Sequence, residues 1–353
     1  MIDNTVVIST PPHVKSKRTT RSIMLDVVIA LLPCAICGII YFGWRAAVLE
    51  IVAVASCVLT EFVYYFIANG GFAKKCVNAK KTCVKWWKQF DCTSVVTGLI
   101  LALILPPTVK WYETLIGSIF AIAIVKMLFG GTGKNLVNPA AAARVFMFIS
   151  FAMTTYVAAN FGPIAINGVG GKDVFTGATN LSGILPSEGN PTSLVSNIDL
   201  FLGTGVAGCI GETSKLAILV GYIYLCVRKV IKWWQPLLFL AVFGFVSVIA
   251  IGFLFDSYKF DISLFLPSIL SGGVAFGAVF MFTDYVTSPR GVYGQLCYYA
   301  VGAVLLAVLR VLTHLEVASF VILIMNILVP LIDKYLIRKP FGYVKEKKTK
   351  EGK

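Results

Sequence analysis

Ten apolar runs, all but one about the length of a membrane span, follow one another along this chain and leave it little choice of fold. They cover roughly 23–42, 45–67, 94–107, 112–130, 138–158, 213–231, 236–255, 263–284, 292–312 and 317–337. A helix of about 20 apolar residues crosses a hydrocarbon core about 30 Å thick. The third run is short for a crossing and ends in Pro106-Pro107, which predicts a broken or tilted helix. Composition agrees: 58% of the residues are hydrophobic and 14% are charged, against about 45–50% and about 25% in soluble domains. The expected fold is an all-α membrane protein of about ten transmembrane helices, bathed in membrane lipid.

The net charge of +14 is not laid out as a nucleic-acid-binding face, and no such partner is expected. Lys and Arg gather in short clusters between the apolar runs. Lys15, Lys17, Arg18 and Arg21 precede the first run, Lys74, Lys75, Lys80, Lys81, Lys85 and Lys88 follow the second, and the tail from Arg338 to Lys353 is basic. Such clusters mark cytoplasmic segments. Both termini are therefore expected in the cytoplasm, and the long polar stretch 159–212 outside. The first run has no cleavage site behind it and reads as a retained span. Of the nine cysteines, Cys34, Cys37, Cys57, Cys226 and Cys297 lie within apolar runs, and none has metal-ligand spacing, so no metal site is expected. His13 and His314 have no catalytic neighbours in the sequence.

A weak internal repeat is also visible. Thr97-Gly98 with Pro106-Pro107 is echoed by Ser271-Gly272 with Ser288-Pro289, and Asn138-Pro139 by Asn326 and Pro330. The resulting division is a cytoplasmic segment 1–22, a five-helix repeat 23–158, an extracytoplasmic loop 159–212, a second five-helix repeat 213–338 and a basic tail 339–353. An odd helix count inverts the second copy relative to the first, and such repeats place binding sites at their interface, beside interrupted helices. Gly130 to Gly133 and the prolines 106, 107, 139 and 289 mark interruptions.

The loop 159–212 carries Asp173-Val174-Phe175-Thr176-Gly177-Ala178-Thr179, a hydroxyl behind two small residues on the outer face. This string resembles the flavinylation motif Asp-x-x-Ser/Thr-Gly-Ala-Thr, with Thr176 where Ser is more frequent. Three further blocks accompany it: Asp91 to Gly98 with Phe129 to Ala140; Ile210 to Leu219; and Ser271-Gly272-Gly273, Phe282 to Pro289 and Asn326 to Asp333. Together they resemble, from about residue 20 to 340, the D subunit of Rnf electron-transport complexes. The B subunit of sodium-translocating NADH:quinone oxidoreductase is its close relative and remains an alternative. Tyr285 departs from the family pattern, which has Pro there.

That resemblance implies a redox subunit in a prokaryotic cytoplasmic membrane, part of an ion-translocating ferredoxin:NAD oxidoreductase and not a complete enzyme alone. It implies FMN joined by a phosphoester to Thr179, with Asp173, Thr176, Gly177 and Ala178 as the surrounding motif. The attachment requires an FMN transferase, and the other Rnf subunits are the expected partners. It further implies a non-covalent riboflavin near Asn135 and Asn138, whose amides read equally as caps of a helix start.

Ionisable residues at membrane depth face the bundle interior and mark ion paths. Glu50 and Glu61 are eleven positions apart on one predicted helix, and Asp284, Asp333, Lys126 and Asn326 lie within or at the ends of others. In the related oxidoreductase protein, acids at the positions of Glu61 and Asp333 are implicated in cation uptake. Glu50, Glu61, Asp284 and Asp333 are the ion-path candidates. Intramembrane acids and inverted repeats equally suit an ion channel or transporter, but that reading leaves the Thr-Gly-Ala-Thr loop without a purpose. Glu212 is expected to cap the sixth helix.

Overall fold

The computed structural model describes residues 18–68, 84–151, 196–203, 208–254 and 262–336. The motif Asp173 to Thr179 lies outside the described residues, as does most of the loop that carries it. Every described element is helical. The chain runs through α1 (Thr20–Phe42), α2 (Trp44–Ala68), a short turn of helix over 84–89, α3 (Thr93–Ile104) and α4 (Trp111–Ile119), which continues as π-helix through Phe120–Met127. It goes on through α5 (Pro139–Ser150), α6 (Asn197–Leu202), α7 (Lys215–Val227) and α8 (Trp234–Leu254). The last part holds α9 (Phe265–Leu270, entered by a 3-10 turn), α10 (Val274–Phe276, prolonged as π-helix to Met281), α11 (Val292–Thr313) and α12 (Ala318–Leu336).

Five of these helices, α1, α2, α8, α11 and α12, are long and apolar enough to cross a membrane, and the bent pair α9–α10 makes a sixth if taken as one span. The protein is an all-α, multi-pass membrane protein. Large apolar side chains stand exposed along the long helices, among them Ile40, Ile51, Phe253 and Ile327. Water would penalise such faces, whereas hydrocarbon accepts them.

Local chemistry explains the helix ends. Thr19 caps α1 by accepting from the Ser22 amide, and Ser214 caps α7 by accepting from the Ala217 amide. Glu212, expected as that cap, is instead drawn into an ion pair with Arg144 of α5. A half-buried guanidinium 3.0 Å away outweighs a helix terminus that a serine already satisfies.

Small residues let helices approach closely. A Cβ on Gly98 would stand 2.8 Å from the Val54 Cα and 2.9 Å from the Ala53 carbonyl oxygen, so α3 rests directly on the α2 backbone. Beyond α3 the chain is extended and is met by the segment before α7: Ile210 N–H donates to the Leu105 carbonyl at 3.1 Å and Gly211 N–H to Leu103 at 2.7 Å. This pairing satisfies backbone that the short α3 leaves open.

The eighth apolar run is not one helix. It breaks at Ser271 to Gly273, and the two pieces are bent by 69°. Gly272 adopts φ 61, a left-handed conformation that glycine takes without steric cost. The freed carbonyls are taken up by side chains: Arg310 donates to Ser268 and Ser271, both at 3.1 Å, and Lys215 donates to Gly272 at 2.7 Å. Irregular backbone at membrane depth survives only when protein or water pairs it in this way.

Candidate functional site

A polar cavity lies where the start of α3, the π-helical end of α4, the entry to α5 and the end of α10 converge. Its empty volume is about 810 Å3, counting the space open at its mouth. The glycine run shapes one wall. Gly130, Gly131 and Gly133 hold φ of 105, 87 and 87, values that side chains rarely tolerate. This coil brings the Thr132 hydroxyl to 3.2 Å from that of Thr93.

Lys126 sits at the cavity edge and is 1% exposed. Its ammonium donates to Glu61 Oε1 at 3.2 Å and to Thr93 Oγ1 at 2.5 Å. The other Glu61 oxygen accepts from the Ser94 hydroxyl. Thr93 donates in turn to Asp91 Oδ1 at 2.7 Å. A Glu from α2, a Lys from α4 and two hydroxyls from α3 thus form one network. The Glu61–Lys126 pair answers the desolvation of each charge with the other and with hydroxyl dipoles.

Asn138 and Asn135 both line the cavity but do different work. The Asn138 carbonyl oxygen accepts from the amides of Ala140 at 3.0 Å and Ala141 at 3.3 Å, capping α5 with Pro139 at its first turn. Its side-chain oxygen is thereby committed. The Asn135 carbonyl oxygen is buried and has no hydrogen-bond partner among the described residues. Asn326 of α12, with its amide turned to suit its neighbours, accepts from the Asn138 backbone N–H at 3.0 Å and donates to the Thr287 carbonyl at 3.2 Å. The two asparagines that echo one another in sequence meet across the packing of α5 and α12.

The ion-path candidates are not gathered into one site. Asp284 lines the cavity and is fastened by its own turn, accepting from the Val286 amide at 3.4 Å and the Thr287 hydroxyl at 3.1 Å. Glu61 touches the cavity through Lys126. Asp333 accepts from the Arg290 amide at 3.2 Å. Glu50 is buried in α2, and its Oε1 has no partner among the described residues. Neither Glu50 nor Asp333 lines the cavity. Tyr285, where the family pattern has Pro, is exposed on its wall.

A second charged network, unread from the sequence, surrounds the α9–α10 break. Arg144 donates to Glu212 at 3.0 Å, Arg310 donates to Glu316 at 2.8 Å, and Lys215 is held by the carbonyls of Glu212 and Gly272. The signal available was a lone cation inside an apolar run, true of both Arg144 and Arg310.

The cavity has the lining that ligand pockets favour, apolar walls with a few convergent polar groups. Val96, Ile100, Val279 and Phe280 offer flat apolar walls, and Thr97, Thr132 and Asn135 polar edges. The buried Asn135 oxygen, without a partner among the described residues, is an acceptor that a ligand donor could satisfy. Among the described residues no group of His, Cys, Asp and Glu could hold a metal ion.

The fold and this cavity define a multi-pass helical membrane protein with an internal polar site at its helix interruptions. The chain belongs to the NQR2, RnfD, RnfE family, whose model matches residues 7–342. It is 36% identical over 351 residues to the D subunit of the Na(+)-translocating ferredoxin:NAD(+) oxidoreductase complex of Acetobacterium woodii, covering 97% of each chain. It is 33% identical over 350 residues to the D subunit of the proton-translocating ferredoxin:NAD(+) oxidoreductase complex of Clostridium ljungdahlii, covering 96% of this chain and 97% of that one. The D subunit of the ion-translocating oxidoreductase complex of Alcanivorax borkumensis is 32% identical, with 96% and 97% covered.

Proposed function

We propose that this chain is the D-type membrane component of a complex that couples electron transfer between ferredoxin and NAD to movement of Na+ or H+. In this reading it carries FMN on Thr179 and holds a second, non-covalent flavin beside Asn135. The observation that carries the proposal is the buried Asn135 oxygen, without a partner among the described residues, on a cavity at the helix interruptions of a chain that matches its family from residue 7 to 342. The finer architecture belongs to the same proposal. Ten spans form two inverted five-helix repeats, the loop 159–212 lies outside, and both termini lie in the cytoplasm.

A bound flavin supplies one- and two-electron redox chemistry that no side chain here provides. The protein's residues do the rest. The Asn135 oxygen would accept a hydrogen bond from the bound flavin. Val96, Ile100 and Phe280 would shield it from water. Lys126, held by Glu61 and Thr93, would stand at the cavity edge as a hydrogen-bond donor. The other subunits of the complex bring electrons and take them away, and an FMN transferase completes Thr179 on the outer side.

The test is the flavin itself. In a host with the transferase, the denatured chain should give a fluorescent band on a gel, and Thr179→Ala should abolish it. A dark wild-type band sinks the covalent-flavin reading and returns the chain to an ion channel or transporter. Fluorescence that persists in Thr179→Ala moves the attachment elsewhere, with Thr176 and Ser182 next in line.

A further inference from the structure

The turn between α7 and α8, Arg228 to Trp233, forms a second hollow that the proposed function does not use. Its empty volume is about 1140 Å3, counting the space at its mouth. Lys229, Lys232, Trp233 and Trp234 line one side, Gln295 and Ser288 the other. Among the described residues, no Asp or Glu contributes to its lining. Arg228, beside it, is already neutralised by Asp26 at 3.1 Å. Neither Lys229 nor Lys232 makes an ion pair with a described residue. Lys232 donates to the Gln295 side-chain oxygen Oε1, at 2.9 Å, and lies over the Trp234 ring.

The backbone here is built rather than slack. Val230 N–H donates to Leu225 at 2.9 Å and Lys229 N–H to Cys226 at 3.0 Å, closing α7 in the manner normally reserved for glycine. Yet Lys229 occupies the left-handed position, at φ 53. A side chain kept where it is sterically disfavoured points to a use for that side chain. The Tyr222 hydroxyl fixes the far end of the turn by donating to the Trp233 carbonyl. Trp233 itself is 67% exposed, and the outward-facing Val227 and Leu237 on the adjoining helices are exposed too. Tryptophan beside lysine at the end of two adjoining membrane helices is the composition of the headgroup region.

We propose that this hollow binds the headgroup of an anionic phospholipid. The phosphodiester sits between Lys229 and Lys232, the glycerol reaches Gln295 and Ser288, and the acyl chains run down past Trp233. Two exposed cations with no acidic group lining the hollow among the described residues offer a site to an anion. The apolar flank at span ends favours a lipid over a protein partner, and basic pockets between helices take such headgroups. The hollow shares Val230, Ile231, Thr283 and Tyr285 with the polar cavity, so a lipid held there would stand against the cavity wall.

The test uses the full chain within its purified complex, reconstituted in nanodiscs of phosphatidylcholine with phosphatidylglycerol. Native mass spectrometry then counts the lipids retained. The wild type should hold phosphatidylglycerol in preference to phosphatidylcholine. The double variant K229S/K232S should lose that preference, with retention falling on the order of tenfold. K229R/K232R should keep it, which separates loss of charge from loss of fold. Equal retention in wild type and K229S/K232S overturns the proposal. So does loss of a partner protein from K229S/K232S with the lipid count unchanged, since the hollow is then a protein interface.

Discussion

Two buried charge networks lie at opposite ends of α3, and they resolve the cost of burial differently. At its start, Glu61 and Lys126 balance one another, with Thr93 and Ser94 supplying hydroxyls. At its far end, where Leu103 and Leu105 pair with Gly211 and Ile210, stand Arg144, Lys215 and Arg310 against Glu212 and Glu316. The 12 residues of α3 separate the two, about 18 Å of rise. The first network borders a cavity, and its cation is met by groups that can turn. The second has more cations than carboxylates and directs the excess to backbone carbonyls released by the α9–α10 break. One is placed to serve a ligand; the other replaces missing helix hydrogen bonds. A buried ion pair is weak evidence for stability by itself, so this contrast rests on what else each charge touches.

If that distinction is right, the largest effect belongs to Arg310. Arg310→Met removes donors from the Ser268 and Ser271 carbonyls, the Ser271 hydroxyl and Glu316 together. Each buried group left unpaired costs about 1–3 kcal/mol. The variant should fail to accumulate in the membrane or should unfold at far lower SDS fraction than the wild type. Wild-type stability in Arg310→Met would mean that the break is satisfied by other means, and the contrast would fall.

The cavity-side network should behave otherwise. Lys126→Met leaves the half-buried Glu61 beside Ser94 without its cation, at a cost of up to about 3 kcal/mol. Adding Glu61→Gln removes the stranded charge and should recover most of that loss in SDS titration. Ion transport by the reconstituted complex should not return with it. A double variant that recovers both stability and transport would make the pair purely structural and erase the difference between the two ends.

Much of the helix layout was legible in the order of the residues alone. The runs 23–42, 45–67, 292–312 and 317–337 became Thr20–Phe42, Trp44–Ala68, Val292–Thr313 and Ala318–Leu336, within a few residues at each end. Hydropathy sees transfer to lipid and succeeds where a helix is simply apolar. It is blind to Gly272 because the residues on both sides of the break are as apolar as those of an intact span. Arg144, Lys215 and Arg310 escaped notice because their partners are carbonyls and carboxylates remote in sequence, made near only by the bend. Asn135 and Asn138 were placed on the cavity by resemblance, but nothing in their letters told the committed amide from the free one. Only the start of α5 distinguishes them.

That last distinction yields the smallest and most discriminating prediction. Asn138→Ala deletes a helix cap, which is worth about 1 kcal/mol, and unpairs the amides of Ala140 and Ala141. Asn135→Ala removes an oxygen that no described residue uses, so its effect on SDS stability should be slight. Burying an acceptor without a partner costs free energy, and Asn135→Ala relieves that cost in the empty protein. Under the proposed function the flavins should respond in the opposite order. Acid extraction of non-covalent flavin from the purified complex should show clear loss in Asn135→Ala and little in Asn138→Ala. Full retention in Asn135→Ala would deny the buried oxygen its ligand and leave it an unsatisfied group that the glycine-shaped wall merely tolerates.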